Sequence, residues 1–134
     1  MAASPDMARR DPVTLNLTAT GDYDGDGRPD HARIEKNDLP AQFRVVICLA
    51  RRSGPCVEQM VYQGRRADLI SLGISTVSRE SVRLALLRSE RRRNSLALLD
   101  RSIARDLLSV FTFESGMTAF VWTGSRFEAV PVMD

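Results

Sequence analysis

Residues 13–36 read VTLNLTATGDYDGDGRPDHARIEK, two alternating segments joined by a short run of aspartate and glycine. Val13, Leu15 and Leu17 alternate with Thr14, Asn16 and Thr18, the period-2 pattern of a strand with one buried face. After the run, Ala32, Ile34 and Lys36 fall on one face and His31, Arg33 and Glu35 on the other. A helix would bring neither set onto a single stripe, so the stretch predicts strand, loop, strand.

The loop carries chemistry. Asp22, Asp24, Asp26 and Asp30 stand at relative positions 1, 3, 5 and 9 with Gly27 at 6, the spacing by which a short loop wraps oxygen ligands around Ca²⁺. Alternate residues of a tightly coiled loop point inward, which makes Asp22, Asp24 and Asp26 converge. Gly27 permits the left-handed backbone that swings the chain back around an ion. The carbonyl of Arg28 is expected to supply the seventh position and Asp30 the ninth, directly or through water, with the Arg28 side chain in solvent. Four carboxylates so close would repel one another and raise one another's pKa without a cation. The competing explanation is a metal-free turn, since Asp and Gly are both common turn residues. Arg33 occupies position 12, where an EF-hand carries a bidentate Glu, and both flanks read as strands, so an EF-hand sensor is excluded. The missing ligand predicts weak affinity, on the order of 10⁻⁵ to 10⁻³ M, the range of extracellular modules.

Outward from the loop the strand pattern continues. Phe43 to Ala50 (FRVVICLA) is β-branched and apolar, residues 51–55 (RRSGP) turn the chain, and Val57 to Tyr62 returns as a partner. Leu107 to Phe113, Met117 to Thr123 and Phe127 to Met133 form two successive hairpins around turns at 114–116 and 124–125. Residues 80–106 are ambiguous. Val82, Leu84 and Leu86 alternate, as do Leu96 and Leu98, with ERRRN between them as a hairpin turn; yet Leu, Ala, Arg and Glu are helix formers. Strands are preferred there, with room for one short helix. Residues 1–12 are polar, hold two prolines and show no periodicity, so they read as a flexible tail ahead of one β-rich domain spanning 13–134. The expected fold class is mainly β, as a small β-sandwich or propeller-fragment-like sheets.

Composition sets the outer bounds. The chain has 134 residues, 43% apolar and 27% charged, which excludes a disordered or collagen-like polymer and suffices for one core. No apolar run approaches the length of a membrane span. The net charge of +2 combines a stretch at 22–30 of net −3 with a basic remainder. Of 19 basic residues 18 are Arg, half of them as three pairs and a triplet beside turns, without interleaved aromatics. That pattern disfavours nucleic acid, whose bases need stacking platforms. No secretory signal peptide is present as written, so the sequence reads either as a cytoplasmic protein or as a mature form with a starting Met.

GDYDGDGRPDHARI resembles the calcium loop of FG-GAP and VCBS-type repeats, known from integrin alpha chains and many bacterial surface and secreted proteins, where such a loop leads into a strand. The resemblance covers residues 15–36. More loosely, residues 111–134 resemble small proteobacterial envelope proteins that pair such a loop with a C-terminal hairpin. It implies a β-rich calcium-binding module with Asp22, Asp24, Asp26, the Arg28 carbonyl and Asp30 as ligands. One loop is present where a propeller carries several.

Cys48 and Cys56 bracket the RRSGP turn. Centring that turn on Arg52 sets Cys48 opposite Cys56, and a disulfide there is favoured over two buried thiols. It implies an oxidising compartment. His31, the single histidine, could act as an acid or base beside an ion, but a solvent-facing strand position accounts for it more simply. Phe111, Phe113, Phe120 and Trp122 alternate into a core in preference to a sugar-stacking surface. The expected protein is thus a non-enzymatic Ca²⁺ module of the periplasm or extracellular space, serving structural support or binding of a protein or glycan. The alternatives are an envelope hydrolase using the ion as Lewis acid and an Arg-mediated binder of anionic polysaccharide or other polyanion.

Overall fold

The computed structural model describes residues 17–65, 72–88, 93–112 and 116–133. The tail at 1–12, residues 13–16 of the first predicted strand, most of the predicted ERRRN turn and Phe113 lie outside the described residues. The strands are β1 Thr18–Gly21, β2 Asp30–Asp38, β3 Ala41–Leu49, β4 Val57–Arg65, β5 Leu72–Ser78, β6 Asp106–Thr112, β7 Met117–Trp122 and β8 Phe127–Met133. Among the described residues two helices, α1 Arg79–Leu87 and α2 Arg93–Asp100, follow β5. Sheet A runs β1-β2-β3-β4 and sheet B β5-β6-β7-β8, with every neighbouring pair antiparallel.

The mainly-β expectation holds, and the sheets pack as a small sandwich. Ala32, Phe43, Val45, Ile47 and Leu49 of sheet A meet Leu72, Ile74, Leu108, Val110 and Phe120 of sheet B in one buried cluster. These are the alternate, inward positions of their strands, as the pleat requires. Trp122 and Phe127, with ring centroids 4.9 Å apart, pack against the same cluster. The predicted core role of Phe120 and Trp122 is therefore seen, with Trp122 only part-buried. Phe43 stacks over Gly64, its cross-strand partner, and approaches Tyr62 at 5.9 Å between ring centroids.

Residues 80–106 correct the strand preference. Sheet B presents a second apolar face, formed by Leu107, Ala119, Val121, Val130 and Val132, which Val82, Leu86 and Leu99 cover from the helices. As a strand, Val82, Leu84 and Leu86 would share a face. As a helix, Val82 and Leu86 stack four residues apart and are buried, while Leu84 is 50% exposed. Ser78 caps α1, its hydroxyl accepting from Ser81 N at 3.1 Å, and Arg83 pairs with Asp100 between the helices. The sandwich thus carries a third, helical layer on one side. Strand β5 (LGISTVS), unanticipated from sequence, is an edge of sheet B and lies beside β1 of sheet A.

Candidate metal centre

The loop between β1 and β2 lies where the two sheets meet. Its fold follows from local hydrogen bonding. Asp22 turns its carboxylate onto the following backbone: Oδ1 accepts from Gly25 N at 2.9 Å and Asp26 N at 3.1 Å, and Oδ2 accepts from Gly27 N at 2.8 Å. An aspartate that bonds amides ahead of it nucleates such a coil. Gly25 and Gly27 adopt φ of 74° and 87°, conformations that side chains resist. Gly27, the position expected from spacing, is thus used for backbone reversal, and Gly25 joins it.

Asp22, Asp24 and Asp30 each bring a carboxylate oxygen to within 4.8 Å of the others. Asp30 is fully buried; its Oδ2 accepts from Tyr23 N at 2.9 Å and its Oδ1 from Ala50 N at 2.8 Å, tying the loop to the end of β3. Asp26 stands apart. Its Oδ1 accepts from Arg28 N at 2.8 Å, and its Oδ2 pairs with the Arg28 guanidinium at 3.2 Å. The Arg28 side chain, expected in solvent, instead forms this pair while staying 40% exposed. The structure therefore unites three of the four predicted carboxylates and engages the fourth with its neighbour two residues on.

Electrostatics follow the geometry. Burial, then the charge of Asp30, push Asp24 up to about 7. Burial also raises Asp30, against the opposing hydrogen bonds from Ala50 and Tyr23, with the charges of Asp26 and Asp22 adding to the rise. For Asp26 the desolvation that would raise it is outweighed by hydrogen bonds from the Arg28 backbone, Asp24 and the Arg28 side chain, so it lies below the ordinary range. Burial pushes the Tyr23 phenol up to about 12; its hydroxyl lies 2.6 Å from Thr76 Oγ1. Among the described residues no basic side chain pairs with Asp22, Asp24 or Asp30, since Arg28 is taken by Asp26. Three convergent hard oxygen donors match Ca²⁺ or Mg²⁺ and not a soft metal. Asp22, Asp24 and Asp30 are the residues that would hold such an ion.

The neighbouring candidates fall outside this group. Arg33, at loop position 12, lies in β2, where it pairs with Glu35 and, at 2.7 Å, with Glu58; Arg44 also engages Glu35. Hydrogen bonds from Arg44 and then Arg33 hold Glu35 below its usual range. His31 is exposed, its Nδ1 3.2 Å from Thr20 Oγ1.

Sequence spacing gave no warning of Asp106. This carboxylate at the start of β6 accepts from Asp22 N at 3.0 Å across 84 residues of chain. Its one sequence-level signal is an Asp opening an apolar strand. Cys48 and Cys56 stand at disulfide distance, with Cα atoms 5.4 Å apart. Their geometry differs from the sequence expectation, because Cys48 pairs across the strands with Glu58 and Leu49 with Val57. The connection spans residues 50–56 and centres on Ser53, so Cys56 reaches Cys48 diagonally from the end of the turn. No helix among the described residues is long and apolar enough to cross a membrane. Comparison of the chain with protein-family models, curated proteins and solved structures returns no match.

Proposed function

We propose that this protein is a Ca²⁺-binding, non-enzymatic β-module whose ion braces the junction of its two sheets, and that it works in the periplasm or extracellular space. The observation that carries this reading is the convergence of Asp22, Asp24 and Asp30, one of them fully buried, without a basic partner among the described residues. A divalent cation would offset that repulsion, and binding to the folded state alone stabilises it. With dissociation constants on the order of 10⁻⁵ to 10⁻³ M, 1 mM Ca²⁺ contributes about 0.4–2.7 kcal/mol. Such a site fills outside the cell and stays empty at cytosolic calcium, and the Cys48–Cys56 pair favours the same oxidising surroundings.

A structural role is supported by what surrounds the carboxylates. Backbone amides, a phenol held by Thr76 and the Arg28 pair adjoin the cluster, an arrangement suited to fixing a loop. Arg33, Arg44, Arg83 and Arg126 engage carboxylates of the same chain, which leaves less guanidinium free for a polyanion. Isothermal titration and thermal melts with Ca²⁺, Mg²⁺ and chelator test the proposal. The expected result is saturable Ca²⁺ binding with a higher melting midpoint; an unmoved midpoint and no heat of binding reject it.

A further inference from the structure

The carboxylate loop is fastened to sheet B and to the connector before β6 by three contacts of different kinds. Asp22 N donates to Asp106 Oδ2 of β6 at 3.0 Å. The Tyr23 hydroxyl meets Thr76 of β5 at 2.6 Å, and Thr76 Oγ1 also donates to Thr20 O at 2.8 Å. Gly25 abuts the segment between α2 and β6 so closely that an added Cβ would lie 3.0 Å from Ile103 Cγ1 and 3.2 Å from the Ala104 backbone. That segment is fixed in turn to both helices: Arg79 N at the start of α1 donates to Arg105 O at 2.7 Å, the Arg79 guanidinium bonds Ser102 O, and Ser102 N donates to Leu99 O of α2 at 3.0 Å.

We propose that residues 22–30, 76–79 and 102–106 form one clasp, through which the state of the loop is transmitted to the roots of both helices and to the connector that exposes Ile103. The physical basis is contact without slack. Backbone packed at van der Waals distance moves together or separates, so order gained on one side lowers the cost of order on the other. The clasp stands on these contacts alone; its use by a divalent cation rests on the function proposed above.

Hydrogen exchange of the full chain tests it with a pair of glycine variants. Gly25→Ala and Gly27→Ala both strain the loop, with φ of 74° and 87°, but only Gly25 faces the connector, whereas Gly27 has nothing within 4 Å of its would-be Cβ. In metal-free protein, Gly25→Ala is expected to speed exchange across 102–106 by about tenfold, and Gly27→Ala by less than about threefold, while both loosen 22–30. Equal exchange at 102–106 in the two variants overturns the clasp. If Gly25→Ala does not fold, Tyr23→Phe removes the link to Thr76 and is expected to speed exchange at 76–79; no change there overturns the clasp equally. In the wild type, 1 mM Ca²⁺ is expected to slow exchange at 102–106 as well as at 22–30. Slowing confined to 22–30 overturns the transmission and leaves the metal proposal standing. No slowing anywhere, with no heat of binding, overturns the metal proposal, and the glycine pair then decides the clasp alone.

Discussion

Asp24→Asn separates the electrostatics of the loop from its geometry. In the wild type the Asp24 carboxyl is pushed up to about 7 by burial and by Asp30, so its ionised form is disfavoured in the folded, metal-free protein. A group with a raised folded-state pKa lends stability that is fully present below its unfolded value, near 4, and is lost as the pH rises towards 7. Above pH 7 the charge is a liability that asparagine removes at nearly constant shape. Because Asp24 is part-exposed, solvent screening reduces the effect to roughly 1 kcal/mol, a rise of about 3–5 °C in melting midpoint for a chain of this size. With 1 mM Ca²⁺ the order should reverse at the tight end of the proposed affinity range: the wild type gains up to about 2.7 kcal/mol and the variant, lacking one of three ligands, gains far less. The assay is a set of thermal melts of both proteins at pH 4, 6 and 8, each with Ca²⁺ and with a chelator that holds at the pH used. Taking differences between the two proteins cancels the titrating groups that do not interact with Asp24. The reasoning is refuted if the metal-free variant is less stable than the wild type at pH 8, or if it keeps the full Ca²⁺ response.

Other perturbations probe the surrounding framework. Asp30→Ala strands the buried amide of Tyr23 and the part-buried amide of Ala50, so chemical denaturation should show a loss of about 2–5 kcal/mol even without metal. Gly64→Ala would place a Cβ 2.7 Å from Phe43 Cε1, and since Phe43 is fully buried, overpacking of about 1–3 kcal/mol should appear in urea titrations. Opening the Cys48–Cys56 bridge with a paired Cys48→Ser and Cys56→Ser change should cost about 2–3 kcal/mol by the chain-entropy relation for so short a loop, read from the same titrations. Calcium affinity should weaken below pH 7, by up to about tenfold per unit for each carboxyl that must lose its proton to bind, Asp24 first; titration calorimetry at pH 7 and 6 checks this.

Much of the site was legible because its determinants are local. Asp22 folds the loop by bonding amides three to five residues ahead, and Gly25 and Gly27 relieve the backbone within that reach. Strands β2, β3, β7 and β8 were likewise readable, since period-2 alternation or an apolar β-branched run marks each. The engagement of Asp26 is of the same short range: the amide and guanidinium of Arg28 bond its carboxylate from two residues away, a contact that spacing alone does not show.

By itself the sequence determined the mainly β class, the loop that gathers carboxylates and the hairpins whose turns carry their own signals. All of these depend on interactions spanning a few residues. The tertiary structure decided whatever depended on a distant surface. Helix won at 79–87 and 93–100 because the outer face of sheet B needed cover, and Val82, Leu86 and Leu99 reach it together from helices. The diagonal reach of Cys56 to Cys48 followed from pairing of Leu49 with Val57, a register that the turn residues alone leave open. Asp106, 84 residues from Asp22, entered the site through packing of one sheet on the other, beyond the reach of any local pattern.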